Sequence, residues 1–168
     1  MNDTDVAVVK ELESLPNEIV HISYRNLSAS QKALLWQRHL SNVMDNWDLT
    51  TEQKNHIAKL QNLVSKTLFS RVGTKELQDQ MDSFVKEWYD PAIASGLFTQ
   101  INLVKISTIK GIGNGNYSGR VLVGDCVCYY SLSCGLLSCI DNKTCSEGLE
   151  NPFDCGILGT SRCTGKCE

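Results

Sequence analysis

Apolar residues recur along the first hundred positions with the spacing of amphipathic helices. Val6, Val9, Leu12 and Leu15 stand three apart, which predicts a short helix over residues 4–15 that Pro16 and Asn17 end. Ile19-Val20-His21-Ile22-Ser23-Tyr24 is rich in β-branched residues and has no neighbouring strand to pair with, so it reads as an extended linker. Ser28-Ala29-Ser30-Gln31 then fits a capping box, with Leu27 placed as a hydrophobic staple. The helix it opens carries Leu35, Trp36, Leu40, Val43 and Met44 on one face and breaks at Asp48-Leu49-Thr50.

The same chemistry repeats downstream. Thr50-Thr51-Glu52-Gln53 launches a second helix with Ile57, Leu60, Val64 and Leu68 on one stripe. Gly73 stops the pattern, and Thr74 caps a third long helix bearing Leu77, Met81, Phe84, Val85 and Trp88. Asp90-Pro91 is expected to start another short helical run toward Leu103. Short connections between amphipathic stripes suit antiparallel packing, so residues 1–109 read as an all-α helical bundle with Trp36, Trp47 and Trp88 in its core or at its rim.

The texture changes at residue 110. Lys110 to Arg120 contains four glycines and two asparagines, the composition of a flexible linker, and the domain boundary is placed there. It superficially resembles a phosphate-binding glycine loop, but lacks the strand-turn-helix setting and the following Lys-Ser/Thr. Beyond it Val121-Leu122-Val123 is β-prone, and residues 121–168 lack helical periodicity.

Cysteine usage divides the chain along the same line. All eight cysteines, Cys126, Cys128, Cys134, Cys139, Cys145, Cys155, Cys163 and Cys167, fall within the last 43 residues. So short a segment buries too little apolar surface to offset its chain entropy, and an even count reads as a disulfide framework. The module is expected to consist of turns and short strands held by four bridges of roughly 2–4 kcal/mol each. Of the many pairings only a Cys126–Cys128 bridge is disfavoured, by its strain. Zinc is the competing reading, but there is no Cys-x-x-Cys pair and the intermediate cysteines lack ligand spacing, so no metal is expected. Bridges persist in oxidising compartments, which predicts export. Met1-Asn2-Asp3-Thr4-Asp5 is not of signal-peptide type, and an export signal is expected to have been replaced by Met1.

Charge narrows the partners. Residues 121–168 hold three basic side chains (Lys143, Arg162, Lys166) against six acidic ones, and the first 120 residues balance at thirteen of each. Neither half has the basic patch of a nucleic-acid binder, and no stretch is long and apolar enough to span a membrane. Asn116-Tyr117-Ser118 and Asn142-Lys143-Thr144 match the glycosylation pattern but read as turn asparagines. His21, His39 and His56 lie far from the cysteines, with His39 and His56 expected at the surface or rim of helices. No paired carboxylates in a hydrolase setting and no nucleophile elbow stand out, so neither an enzyme nor a cofactor is expected.

The Cys126-Val127-Cys128 start, the spaced Cys134, Cys139 and Cys145, and the Cys155-Gly156 and Cys163-Thr164-Gly165-Lys166-Cys167 ending resemble the bacteriocin fulvocin C-related proteins. Lys32 to Leu40 with Trp36, followed by Leu49 to Gln53 and Ile57, is similar to their leader-side region. The last two cysteines depart from the family pattern in being separated by three residues. The resemblance implies a secreted antibacterial toxin precursor of Bacteroidota whose cysteine-rich end is the toxic peptide. Arg120 is the only basic residue between Lys110 and Lys143, in a stretch where proteolytic nicking concentrates. Cleavage between Arg120 and Val121 by an arginine-specific activating protease would release every cysteine, leaving the halves joined only noncovalently, if at all.

The acidic module is not expected to gather on anionic membranes, which points to a bacterial cell-surface receptor contacted by exposed turn residues and Tyr129, Tyr130 and Phe153. The alternative is a disulfide-rich inhibitor or adhesin-type binding module permanently joined to its helical domain. If four bridges form within residues 126–168, the mass under non-reducing conditions will lie eight hydrogens below the reduced mass. Free thiols or bound zinc would overturn this reading.

Overall fold

Side-chain oxygens set most of the helix starts. The computed structural model describes residues 2–110, 112, 127–128, 145–147, 153–155, 157–162 and 165–167, with side chains at 2–16, 19–20, 23–110, 112 and 157–160. Among these residues seven helices run in order: α1 Asp3–Ser14, α2 Asn17–Arg25, α3 Ala29–Asn46, α4 Thr51–Leu63, α5 Lys66–Ser70, α6 Lys75–Ala94 and α7 Gln100–Ser107. Ser28 and Thr50 each close a reciprocal capping box, with the Gln31 and Gln53 amides donating to the cap hydroxyls at 3.2 Å. Asn2, Ser65, Thr74 and Thr99 cap α1, α5, α6 and α7 through one side-chain bond each. Each such cap is worth about 1 kcal/mol.

These helices form the expected bundle. The hub is α3, which packs against α1, α4 and α5. Leu35, Trp36, Leu40 and Val43 from its inner face are buried, as are Trp88 on α6 and Leu103 and Ile106 on α7. Trp47 is partly buried against this core. Arg38 on α3 and Glu13 on α1 add a two-pronged ion pair at 2.9 Å on both oxygens. It lies at the half-exposed surface, so it fixes geometry more than it adds stability.

Four local expectations are corrected. Residues 19–24 are not an extended linker but the body of α2. Val20 and Tyr24, four apart, are both fully buried, and burial of that face overrides the β-branched composition. The stripe through Val64 and Leu68 is real, since both are buried, but the helix is not continuous. α4 ends at Leu63, and the Ser65 hydroxyl accepts from the Leu68 amide at 3.1 Å to start α5. Asp90-Pro91 starts no helix; Pro91 lies in the last turn of α6, where its missing N–H removes one bond of the ladder. His56 is buried rather than on the surface, its ring stacked on Trp88 with centroids 5.0 Å apart. His21 lies outside the described side chains.

Packing continues past α7. The backbones of Ile109 and Ile112 exchange hydrogen bonds of 3.0 and 2.8 Å across a tight turn, and Ile112 is fully buried. Between them Lys110 adopts the left-handed region at φ 48°, a cost that its side chain helps offset. Its ammonium donates to the carbonyl of Leu15 at 2.8 Å and to that of Glu13, satisfying acceptors at the end of α1. Thus the first and third residues of the sequence-assigned linker are held on the helical bundle, while 113–120 lie outside the described residues.

In the C-terminal region β1 Val127–Cys128, β2 Cys145–Glu147 and β5 Gly165–Cys167 form an antiparallel sheet in the order β1-β5-β2. A second antiparallel pair joins β3 Phe153–Cys155 to β4 Ser161–Arg162, with Phe153 opposite Arg162 and Cys155 opposite Ser161.

Burial holds both His39 and His56 below the ordinary histidine pKa, against the opposing pull of nearby backbone acceptors. A depressed folded-state value means that the unfolded chain binds protons first as pH falls. Stability from the neutral rings is therefore complete above about pH 6.5 and lost as pH drops through and below it. The melting temperature should fall between pH 7 and pH 5.5, and the double variant His39→Gln, His56→Gln should flatten that slope. An unchanged slope in the double variant would refute the assignment.

Candidate functional site

Tyr24 is carried to the bundle interior by α2, one helical turn after Val20, and Trp36 reaches the same point from the second turn of α3. The indole Nε1–H of Trp36 donates to the Tyr24 hydroxyl at 3.1 Å. That hydroxyl donates in turn to the backbone carbonyl of Leu158 at 3.3 Å. Both aromatic side chains and Leu158 are fully buried, so the relay satisfies polar groups that water cannot reach. Lys32 lies over the Tyr24 ring, 4.9 Å from its centroid, and His39 meets Trp36 edge-on at 5.8 Å.

The group received by this socket is the turn Ile157-Leu158-Gly159-Thr160, which links β3 to β4. Ile157 and Leu158 belong to the same core cluster as the helices, and β3 itself contacts α2. Thr160 donates its hydroxyl to the Ile157 carbonyl at 2.9 Å, bracing the turn. Leu158 and Gly159 both have positive φ, 61° and 59°. Two successive left-handed residues give the backbone twist that a tight hairpin favours, and glycine supplies the second without strain.

Leucine at the first of those positions is unusual. A left-handed L-residue costs roughly 1–2 kcal/mol, whereas burying a leucine and an isoleucine side chain yields about 3–6 kcal/mol together. Burial wins, and the strained conformation persists because the socket over-determines it. At 3.3 Å the tyrosine bond is long for an O–H donor. It selects the carbonyl orientation, while the apolar side chains supply most of the holding energy.

The sequence puts Trp36 in the core or at its rim and gives little sign of the socket. Tyr24 falls in the segment that reads as an isolated extended linker, and its i, i+4 relation to Val20 is the one local sign of the helix. For the turn the signal was Ile157-Leu158, an adjacent apolar pair bounded by Gly156 and Gly159 in an otherwise polar tail.

The sequence-predicted site residues stand elsewhere. The backbones of Cys128, Cys145, Cys155 and Cys167 lie in β1, β2, β3 and β5, with their side chains outside the described residues. Cys126, Cys134, Cys139, Cys163, Arg120, Val121, Tyr129 and Tyr130 lie outside them entirely. Phe153 is described only as backbone in β3. An open cleft of about 820 Å³ between α1, α3 and the Lys110 turn is lined by Glu13, Arg38, His39 and Asn42, among others. Among the described residues no cluster of three or more His, Cys, Asp or Glu side chains is set to hold a metal ion, and no helix is long and apolar enough to cross a membrane.

No family model, curated protein or solved structure matches the chain.

The two components of the socket contact separate by substitution. Leu158→Ala should lower the unfolding free energy of the full chain by about 2–5 kcal/mol through the cavity it leaves. Tyr24→Phe should cost about 1–3 kcal/mol, because it strands the Trp36 indole and the Leu158 carbonyl in the interior. Chemical denaturation measures both, and wild-type stability in Leu158→Ala would show that the turn is not held as described.

Proposed function

We propose that the chain is a secreted bacteriocin precursor. Its helical domain carries a disulfide-rich C-terminal module of short strands and turns, and a cut after Arg120 frees that module as an antibacterial peptide. The observation that carries this reading is the seating of the 157–160 turn on Tyr24 and Trp36. A domain that holds one turn of a following segment in its own core is suited to restraining that segment until needed.

Further support comes from the confinement of all eight cysteines to residues 126–167 and from the motifs that resemble the fulvocin C-related proteins. Strand register favours one bridge among the pairings open to the sequence. Cys145 stands directly opposite Cys167 in the β2–β5 pair, and facing residues of an antiparallel pair have the Cα separation that a disulfide spans. The acidic balance of the module points away from general membrane attack and toward a surface receptor on related bacteria. Tyr129, Tyr130 and Phe153 are proposed as its contacts. The proposal calls for no cofactor, metal or nucleic acid and for no catalysis.

Core-like burial of Ile157 and Leu158 favours a second reading, in which the module is an inhibitor or adhesin joined permanently to its helical domain. Spotting intact and protease-treated protein on lawns of related bacteria separates the two. The precursor reading predicts clearing by the protein treated with an arginine-specific protease, and at least a tenfold higher dose requirement for Arg120→Ala treated identically. Equal cutting and killing by the variant would refute activation at this bond. An absence of clearing by any form would favour the permanent binding module.

A further inference from the structure

We infer that the helical domain is an intramolecular folding template for the cysteine-rich segment: it seats the Ile157–Thr160 turn before any sulfur is oxidised and so selects which cysteines pair. The order of events follows from where the sulfur is. Apart from Ile157 and Leu158, the buried core is built by residues 9–112, and residues 1–125 contain no cysteine. The turn is seated by the burial of Ile157 and Leu158 and by the Leu158 carbonyl on Tyr24, contacts that involve no sulfur. The helices can therefore fold, and the turn can dock, in the fully reduced chain. The last 43 residues, by contrast, are too short a segment to hold a fold of their own without bridges.

Docking fixes more than the turn. A free chain rarely places leucine in the left-handed region, so the conformation of Leu158 at φ 61° is one that the socket imposes. The β3–β4 register follows from that turn: Cys155, the last residue of β3, stands opposite Ser161. Cys163 directly follows Arg162, the end of β4, and β5 opens at Gly165, within about 11 Å of Arg162 along the chain. β5 is the central strand of the sheet that holds Cys128, Cys145 and Cys167, so fixing its start guides the pairing of β1 and β2. Eight thiols allow on the order of a hundred complete pairings, and undirected oxidation delivers any one of them in about 1% of molecules. A docked hairpin narrows that search, because residues already fixed lose no further entropy when their sulfurs meet. For each bridge a cysteine thiolate attacks a disulfide reagent such as oxidised glutathione, and a second cysteine thiolate then displaces the glutathione. One protein S–S bond forms, and two reduced glutathiones carry away the electrons and the two thiol protons. Wrong bridges are exchanged by the same attack, with no net oxidation.

The inference rests on the disulfide framework of the proposed precursor, and neither on cleavage nor on killing. The test refolds the full, reduced chain into a glutathione redox buffer and follows the disulfide isomers by reversed-phase chromatography, mass and peptide mapping. Wild type is compared with the double variant Ile157→Ala, Leu158→Ala, which keeps the left-handed cost but removes both anchors. The template predicts one dominant four-bridge isomer in wild type, accumulating about fivefold or more slowly in the variant. A second readout, the NMR cross-peak of the Trp36 indole N–H, is taken on protein held reduced. In reduced wild type it should lie where it lies in oxidised wild type and apart from its position in the reduced variant. A reduced wild-type cross-peak that matches the variant would overturn the inference, because the turn would then be seated by the bridges rather than before them. Equally fast formation of the same four-bridge isomer in both chains would also overturn it, while leaving the disulfide framework intact. Free thiols in the refolded wild type would instead remove the framework, and the template with it.

Discussion

A tyrosine hydroxyl sealed from water needs partners inside the protein, and Tyr24 finds two of them in distant parts of the chain. Trp36 donates to it from twelve residues away, and the carbonyl it serves, that of Leu158, lies 134 residues away. The low dielectric of the interior makes this relay costly to break. It also gives a directional requirement to what would otherwise be apolar contact. The Leu158 carbonyl faces Tyr24 while the backbone around it holds two consecutive left-handed residues, and the pairing of β3 with β4 follows from that turn. The relay thus links the fold of the helices to the conformation of a hairpin in the cysteine-rich region.

The helices were legible because their signals are local. Ser28, Thr50 and Thr74 cap their own helices three residues on, and the inner stripes of α3 and α6 repeat within a few turns. Errors arose where distant packing outvoted local preference. α2 is helical because Val20 and Tyr24 face a core built by other segments, and α4 breaks at Val64 although the apolar stripe runs on. His56 lies on the stripe side of α4, next to Ile57, and is buried under Trp88 and Phe98, an arrangement that needs α6 and the chain after it to be in place. The socket was illegible for the same reason. Nothing near Tyr24 in the sequence announces a carbonyl from residue 158.

Two attachments to the helical core bracket the stretch of chain that holds β1, β2 and β3. On one side Lys110 and Ile112 fasten the chain to the end of α1 and to the core. On the other the 157–160 turn is fastened to α2 and α3. Everything between Ile112 and Ile157 is therefore returned to the helical domain at both ends. After a single backbone cut between them the second attachment would be held by noncovalent contacts alone, since residues 1–125 contain no cysteine. The first is unaffected, and the helical domain keeps its own end of the chain.

The most direct measurement is native-state hydrogen exchange on the intact, oxidised protein, followed peptide by peptide. If the turn is part of the helical core, amides in a peptide spanning residues 157–162 will be protected together with those of α2 and α3. They will also lose protection in the same cooperative opening as denaturant is added. Exchange of that peptide at the unprotected rate, while α2 and α3 stay protected, would contradict the account.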